Sequence, residues 1–400
     1  MIGANMMSKY FPSYLRRALL GAVLMAAANL PVQAQSSGPI TLGLVSPLSE
    51  PGDARSGDAI KKTADLWVKV TNAAGGANGR QFKLAVYDDQ GKVEVGAAGV
   101  ERAITESKAS AILGVWSSSV TLAEMEVAKR YNVPLLAFYS WADDVTGKNY
   151  PQVFRIGPYN TKIAEQMAAF IDSKGYKKVV VLAEDTAYGL GFAKSFEARM
   201  KKTPRVSVDV VQFQAQTQDM TALMLKVSAM RPDVVVVQGV FGATNLSIKQ
   251  GREVGLKSDI IAGWDWPTLP DFWNAVGDAG VGVMYPSFTD KSLKPTTEGK
   301  RFVDAYKKAY GTDPAIFQYY LWDNFNAVKA AIEKSGSSDP AVLVKTLPSV
   351  KFMGTIGEIS FSHQAGTVNF NQWDSFVMFI KQMMHKGDTD ATAKVVYTGR

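Results

Sequence analysis

The sequence predicts an α/β protein with two doubly wound lobes, each built on a parallel sheet that helices cover on both faces. Short apolar runs, typical of buried strands, alternate with amphipathic helical segments from residue 40 onward. This alternation pauses near residue 150 and starts again near residue 178. A chain of 400 residues is also long enough for two domains.

The first series of elements occupies residues 40–140. Its strands are predicted at 40–45, 82–89, 111–116 and 134–140, and its helices at 57–72, at 93–108 and in a segment that ends at Lys129. Glycine and asparagine residues at 75–79 provide the turns before the second strand. This order of strands and helices favours a parallel sheet buried on both faces.

The second series follows a connection at 153–158. Its strands are predicted at 178–184, 206–213, 232–238, 260–266 and 281–285, and its helices at 191–200, 220–230 and 245–255. A long helix at 314–334 and two further strands, at 357–361 and 375–380, complete the chain. Two such series in one chain predict two lobes.

The N-terminus is typical of a secretory signal peptide. Lys9, Arg16 and Arg17 precede an apolar run at 18–30, and small residues at 31–34 resemble a cleavage site. A membrane anchor is the alternative, but 13 apolar residues fall short of the roughly 20 needed to cross a bilayer. We therefore expect cleavage after residue 34, export to the periplasm, and a mature net charge of 41 − 37 = +4.

Composition argues against several functional classes. The chain has no cysteine, which excludes thiol catalysis and disulfides, and its mature part has no cluster of basic residues that would bind nucleic acid. A serine hydrolase triad would need His363 or His385, and both lie near the C-terminus, far from the strand ends described below. We therefore expect a protein that is not an enzyme and that uses no metal or cofactor.

Aromatic residues recur where predicted strands end. In open parallel sheets, ligands bind at the carboxyl ends of strands. The rings at those ends belong to Trp116, Tyr139, Trp141, Tyr188, Phe241, Trp264 and Trp266. Such rings supply contact area and polar edges to a cleft that encloses a small organic molecule, although each ring alone could equally pack under a loop.

Two further features lie at strand ends. Ser117 and Ser118 begin a helical pattern, where hydroxyls and free backbone N–H groups suit an anion, while plain helix capping is the alternative. Thr121 and Glu124 fit a capping box.

Asp265, between two tryptophans, either meets a ligand cation, caps the helix predicted near 269–276 or pairs with a surface lysine.

Several motifs together resemble the leucine/isoleucine/valine-binding type of periplasmic binding protein. They are a Ser-Pro-Leu loop at 46–48, the turn at 72–79, Tyr-Asp-Asp at 87–89, the segments 114–119 and 184–189, and the strand 232–237. The resemblance extends over about 40–381. It implies the type I fold of that family, in which three crossovers join two lobes.

We place these crossovers near Gly157, Ser287 and Met353. This assigns residues 38–157 plus 288–352 to the first lobe and residues 158–287 plus 353–400 to the second. The resemblance also implies the function of a solute receptor for an ABC importer, which closes around its ligand and delivers it to an inner-membrane permease. A sensor that presents ligand to a receptor is the alternative with the same fold.

The resemblance also implies site residues. Ser117 corresponds to the serine that binds a carboxylate, the loop Tyr139, Ser140 and Trp141 to the one that contacts carboxylate and ammonium, and Asp265 to the acid that receives the ammonium. The remaining predicted ligand contacts are Tyr188, Phe241, Trp116, Ser118 and Trp264. Trp141 departs from the small hydroxyl residue of amino-acid binders, so the ligand stays open among an amino acid, an aromatic carboxylate, an amide and a quaternary amine. We expect a monomer.

Overall fold

The computed structural model describes residues 38–240 and 242–399. The predicted signal peptide, residues 1–34, lies outside the described residues. The described strands form two large sheets and one two-stranded sheet. The strands are β1 (Ile40–Ser46), β2 (Phe82–Asp88), β3 (Ile112–Leu113), β4 (Leu135–Ala137), β5 (Val153–Ile156), β6 (Lys178–Glu184), β7 (Ser207–Phe213), β8 (Val234–Gln238), β9 (Asp259–Ala262), β10 (Met284–Ser287), β11 (Lys351–Met353), β12 (Glu358–Ser360), β13 (Gln372–Trp373), β14 (Phe379–Gln382) and β15 (Lys394–Thr398).

Helices connect most of the parallel strands. They are α1 (Ala54–Ala73), α2 (Val93–Thr105), α3 (Ser118–Tyr131), α4 (Asp144–Gly147), α5 (Asn160–Lys174), α6 (Ala187–Met200), α7 (Thr221–Ala229), α8 (Ala243–Glu253), α9 (Phe272–Val276), α10 (Thr297–Tyr310), α11 (Ile316–Ser335) and α12 (Pro340–Thr346). Among the described helices, none has the length and apolar composition needed to span a membrane.

The two large sheets define two lobes. The sheet of the first lobe has the strand order β13-β5-β4-β3-β1-β2, and its pairs are parallel. The sheet of the second lobe has the order β15-β14-β10-β9-β8-β6-β7, with antiparallel pairing only on both sides of β14 among its described pairs. These sheets agree with the predicted α/β architecture.

Position in the sheet explains the strand sequences. The central strand β8 has the sequence VVVVQ and is buried along its whole length, because helices cover both faces of the sheet. At the edge of the same sheet, β7 carries exposed polar residues between its apolar ones. A continuous apolar run therefore marks a central strand here, and an alternating pattern marks an edge strand.

The third strand is shorter than predicted. Residues 111–116 form an apolar run, yet only Ile112 and Leu113 belong to β3. Gly114 adopts a φ of +84°, and a Cβ atom there would lie 2.5 Å from a methyl group of Leu44. The chain leaves the sheet at this glycine, which frees Trp116 to contact Trp264 of the second lobe.

The predicted third crossover, near Met353, is wrong. The segment after Met353 stays with the first lobe, because the Thr355 N–H donates hydrogen bonds to Asp323 on α11 and β13 pairs with β5. The chain enters the second sheet only at β14, so this crossover lies between Trp373 and Phe379. The other two passages between the sheets lie between β5 and β6 and after β10.

Candidate functional site

The carboxyl ends of β3 and β6 bring two helix N-termini into contact. Helix α3 begins at Ser118 in the first lobe, and α6 begins at Ala187 in the second. The Ser119 hydroxyl accepts a hydrogen bond from the backbone N–H of Ala187 at 3.0 Å. Both helices direct the positive ends of their dipoles to this contact, so the region between them favours negative charge.

A small cavity of about 30 Å³ lies beside this contact. Its wall combines residues from the ends of strands in both lobes. The lining residues are Trp116, Ser117, Ser118, Tyr139, Trp141, Glu184, Thr186, Tyr188, Val240 and Trp264. Seven of these ten are residues that the sequence predicted as ligand contacts. Hydrogen bonds and ring contacts join the two lobes around this cavity, so the lobes are closed.

Aromatic rings form half of the cavity wall. The ring of Trp116 stacks on that of Tyr139, with centroids 5.3 Å apart and planes 12° apart. Trp116 also contacts the edge of Trp264 at 5.7 Å, and Trp141 contacts Tyr188 at the same separation. Both of these last contacts join the two lobes. Edge-to-face packing stabilises such aromatic pairs in addition to the burial of their apolar surface.

Several hydrogen-bond donors of the wall have no protein partner. The indole N–H of Trp141 and the hydroxyl of Tyr188 are buried without a partner among the described residues. Ser117 is the N-cap residue of α3, yet its side chain accepts no capping hydrogen bond. A buried donor without a partner costs about 1–3 kcal/mol, so the donors of Trp141 and Tyr188 are suited to a solute that brings acceptors.

Asp265 lies behind the wall. It is fully buried, it does not line the cavity, and its Oδ1 accepts a hydrogen bond from the hydroxyl of Tyr139. Burial raises the pKa of Asp265 to about 7. Asp265 has no lysine partner among the described residues. It does not cap the helix predicted near 269–276 either, because Asp271 is the N-cap residue of α9.

Ser140 does not line the cavity. The Ser140 hydroxyl lies 2.7 Å from the hydroxyl of Thr121 and donates to the Trp116 carbonyl at 3.0 Å, so it supports the loop instead of facing the cavity. Phe241 lies outside the described residues.

The predicted capping box is wrong. Helix α3 begins at Ser118, so Thr121 already lies inside it and its hydroxyl contacts Ser140. Glu124 is fully buried, and neither of its side-chain oxygens has a hydrogen-bond partner among the described residues. Its pKa lies well above the ordinary value, mainly because of burial and also because Asp89 is near.

A buried arginine that the sequence analysis missed supports the loop of Tyr139. Arg155 on β5 is fully buried and donates to the carbonyls of Ser140 and Ala142, both at 2.8 Å. It also donates to Gln372 of β13 at 2.5 Å and to Thr146 at 3.0 Å. Burial lowers the pKa of Arg155 to about 10. The guanidinium thus fixes the loop that carries Tyr139 and Trp141.

Three residues of the wall were not predicted as contacts: Glu184, Thr186 and Val240. Glu184 ends β6, and its Oε2 accepts the backbone N–H of Val240 at 2.9 Å. Thr186 caps α6 by accepting the N–H of Gly189. All three positions follow the rule that ligands bind at strand ends. None of the three has an aromatic ring, which was the feature that marked most of the predicted contacts.

Metal binding has no support within the residues that the structure describes. No group of three or more acidic or histidine side chains there has an arrangement that would hold a metal ion.

Comparison with known proteins identifies the family. Residues 39–381 match the sequence profile of a family described as periplasmic binding protein. This chain belongs to the periplasmic binding protein family. The matched segment covers most of the chain and includes every described residue of the cavity wall.

Named relatives of this periplasmic binding protein are similar over almost their whole length. It is 26% identical over 361 residues to Leu/Ile/Val-binding protein homolog 3 of Brucella melitensis, which covers 90% of this chain and 96% of the relative. It is 25% identical over 387 residues to a Pseudomonas aeruginosa protein named amino acid binding protein, with coverage of 96% and 95%. These relatives are named as binding proteins, not as enzymes.

Solved structures share the fold. LivJ of Streptococcus pneumoniae, solved with isoleucine, is 25% identical with a TM-score of 0.78 and coverage of 90% of this chain and 99% of LivJ. The leucine-binding protein LivK of Thermotoga maritima is 21% identical with a TM-score of 0.79 and coverage of 90% and 98%. A Rhodopseudomonas palustris protein solved with benzoate is also 21% identical, with a TM-score of 0.75 and coverage of 90% and 96%. The predicted family and fold class are confirmed.

Proposed function

We propose that this protein is the solute-binding component of an ABC importer and that it captures a small carboxylate between its lobes. The observation that carries the proposal is the composition of one cavity wall, in which rings and hydroxyls from strand ends of both lobes converge. Relatives named for leucine, isoleucine and valine, and structures solved with isoleucine or benzoate, support a small solute that has a carboxylate group.

The carboxylate of the solute is assigned to the start of α3. Ser117 and Ser118 line the cavity there, and the first turn of the helix has backbone N–H groups without helical acceptors. Hydroxyls, N–H groups and the positive end of a helix dipole together stabilise an anion. The rings of Trp116, Trp141 and Trp264 then enclose the apolar part of the solute.

Binding is coupled to closure of the lobes. The closed cavity of about 30 Å³ is too small for a solute of amino-acid size to enter, so the lobes open to admit it. Contacts to both lobes then favour the closed form, which a membrane permease recognises. The N-terminal segment 1–34 directs export, and the protein acts in the periplasm.

A thermal-shift screen of the chain from residue 35 onward tests this proposal. Amino acids, benzoate-type acids, amides and betaines are added one at a time, and a solute that binds the folded state raises the melting temperature. The intrinsic fluorescence of Trp116, Trp141 and Trp264 provides a second readout, because all three line the cavity. We expect saturable changes in both signals with a carboxylate. If no solute in the set changes either signal, the proposed function is wrong.

A further inference from the structure

We infer that the cavity selects a carboxylate without an ammonium group, because Tyr139 separates the cavity from Asp265. The inference rests on the proposed function and names the class of solute: an aromatic or branched aliphatic monocarboxylate. Its basis is the free donors of Trp141 and Tyr188 in the wall, together with the Tyr139 phenol that covers Asp265.

Most backbone carbonyls of the wall already accept one hydrogen bond. Six of the ten lining residues have a backbone carbonyl that accepts a hydrogen bond in the closed structure: Trp116, Ser117, Trp141, Glu184, Thr186 and Tyr188. For example, the Trp141 carbonyl accepts the backbone N–H of Asn160 at 2.8 Å. An ammonium group has three N–H donors and no acceptor, so in this wall it would share these carbonyls with the protein donors that they already accept.

The two acids near the cavity each accept a hydrogen bond from the protein, while Oδ2 of Asp265 is buried without a partner among the described residues. Glu184 lines the cavity, but its Oε2 accepts the backbone N–H of Val240. Asp265 is the other acid beside the rings, and the hydroxyl of Tyr139 donates to it. The Tyr139 ring lines the cavity while Asp265 does not, so the phenol covers the carboxylate that would otherwise meet a cation.

Two side-chain donors of the described wall remain free. Trp141 and Tyr188 each have a buried donor without a partner among the described residues, and Ser117 has no capping hydrogen bond. The wall has no lysine, arginine or histidine among its described members. Neutral donors and two helix N-termini therefore receive the anion, and they suit one carboxylate better than a zwitterion.

Matched solute pairs test the inference on the wild-type protein. L-Leucine and 4-methylpentanoate differ only in the ammonium group, and so do L-phenylalanine and 3-phenylpropanoate. Isothermal titration calorimetry at pH 8, with benzoate added to the set, gives the dissociation constants. We expect the acid without ammonium to bind at least tenfold more tightly than its amino acid in one pair or both. Equal binding, or tighter binding of the amino acids, overturns the inference and leaves the proposed function standing.

Two ring deletions assign the selectivity to Tyr139. Tyr139→Ala opens a path from the cavity to Asp265, so the preference for the acid without ammonium should fall at least tenfold. Tyr188→Ala removes a ring of the same kind from the same wall, where no hydrogen bond to Asp265 exists. It should weaken both members of a pair equally. An unchanged preference in a Tyr139→Ala protein that still melts cooperatively overturns the role of Tyr139.

The remaining outcomes are also decisive. If neither the two amino acids nor the three acids without ammonium bind, but an amide or a betaine does, the inference is wrong and the solute-binding function stands. If no solute binds, the proposed function itself fails.

Discussion

Asp143 in the first lobe accepts a hydrogen bond from the hydroxyl of Ser195 in the second lobe at 3.0 Å. The same carboxylate accepts the backbone N–H and the hydroxyl of Thr161, at 3.0 and 2.7 Å, where the chain has just entered the second lobe. Asp143 therefore links the loop beside the cavity to two helices of the opposite lobe. This contact stabilises the closed arrangement independently of any solute.

Ser195→Ala should reduce the affinity for the solute. The substitution removes one contact to Asp143 that exists only when the lobes are closed, so the closed form becomes less populated and apparent affinity falls. The loss of a hydrogen bond to a charged group predicts a decrease in binding free energy of about 1–3 kcal/mol. Titration calorimetry with the solute from the screen measures it. Ser173→Ala is the control, because the Ser173 hydroxyl donates only within α5. Equal affinity for wild type and Ser195→Ala would contradict this account.

Ser117→Ala should weaken a carboxylate solute by about 1–3 kcal/mol, the cost of a lost hydrogen bond to a charged group. Ser117 lines the cavity and begins α3 without capping it, so the substitution removes little from the folded protein. Calorimetry gives the affinity, and the melting temperature without solute checks the fold. Unchanged affinity would remove Ser117 from the site.

The fold was largely predictable from the pattern of apolar residues. Strands such as β8 are buried on both faces, so nearly all of their residues are apolar and form a continuous apolar run in the sequence. The third crossover was not predictable in this way. It depends on β13, which has only the two residues Gln372 and Trp373 and joins the sheet through its pairing with β5. A strand this short leaves no periodic signal.

The candidate site was predictable in its rings and in Ser117 and Ser118, but not in the hydrogen bond that covers Asp265. The rule for strand ends placed Trp116, Tyr139 and Trp264 at one edge, and all three line the cavity. The bond between Tyr139 and Asp265 joins residues 126 positions apart in different lobes. Local sequence patterns carry no information about such a pairing. The sequence therefore allowed Asp265 to be predicted as a ligand contact.

Glu124→Met should stabilise the protein by about 1–3 kcal/mol, because a side chain of similar size replaces a carboxyl whose oxygens have no described partner. Denaturant unfolding in the absence of solute measures the change. The matched control is Glu106→Met, since Glu106 is exposed next to the end of α2 and pairs only with Arg102 at the surface. Its effect should stay within about 0.5 kcal/mol. A less stable Glu124→Met protein would show that the carboxyl is satisfied.

Asp265→Asn should remove a pH dependence from the stability of the protein. Burial raises the pKa of Asp265 from 3.8 to about 7, so between these pH values the folded protein keeps a proton that the unfolded chain releases. The contribution of this group to stability is fully present below about pH 4 and is lost as the pH rises to about 7. Asparagine keeps an acceptor for the Tyr139 hydroxyl and does not titrate.

The difference in unfolding free energy between wild type and Asp265→Asn isolates this group from other buried acids, such as Asp89 and Asp323, whose pKa values burial also raises to about 7. One unit of pKa difference corresponds to about 1.4 kcal/mol, so wild type should lose on the order of 4 kcal/mol relative to Asp265→Asn between pH 4 and pH 8. Urea unfolding at several pH values measures the loss. A difference that does not change with pH would mean that Asp265 is ionised throughout, and that the Tyr139 hydroxyl together with its surroundings stabilises the charge as well as water does.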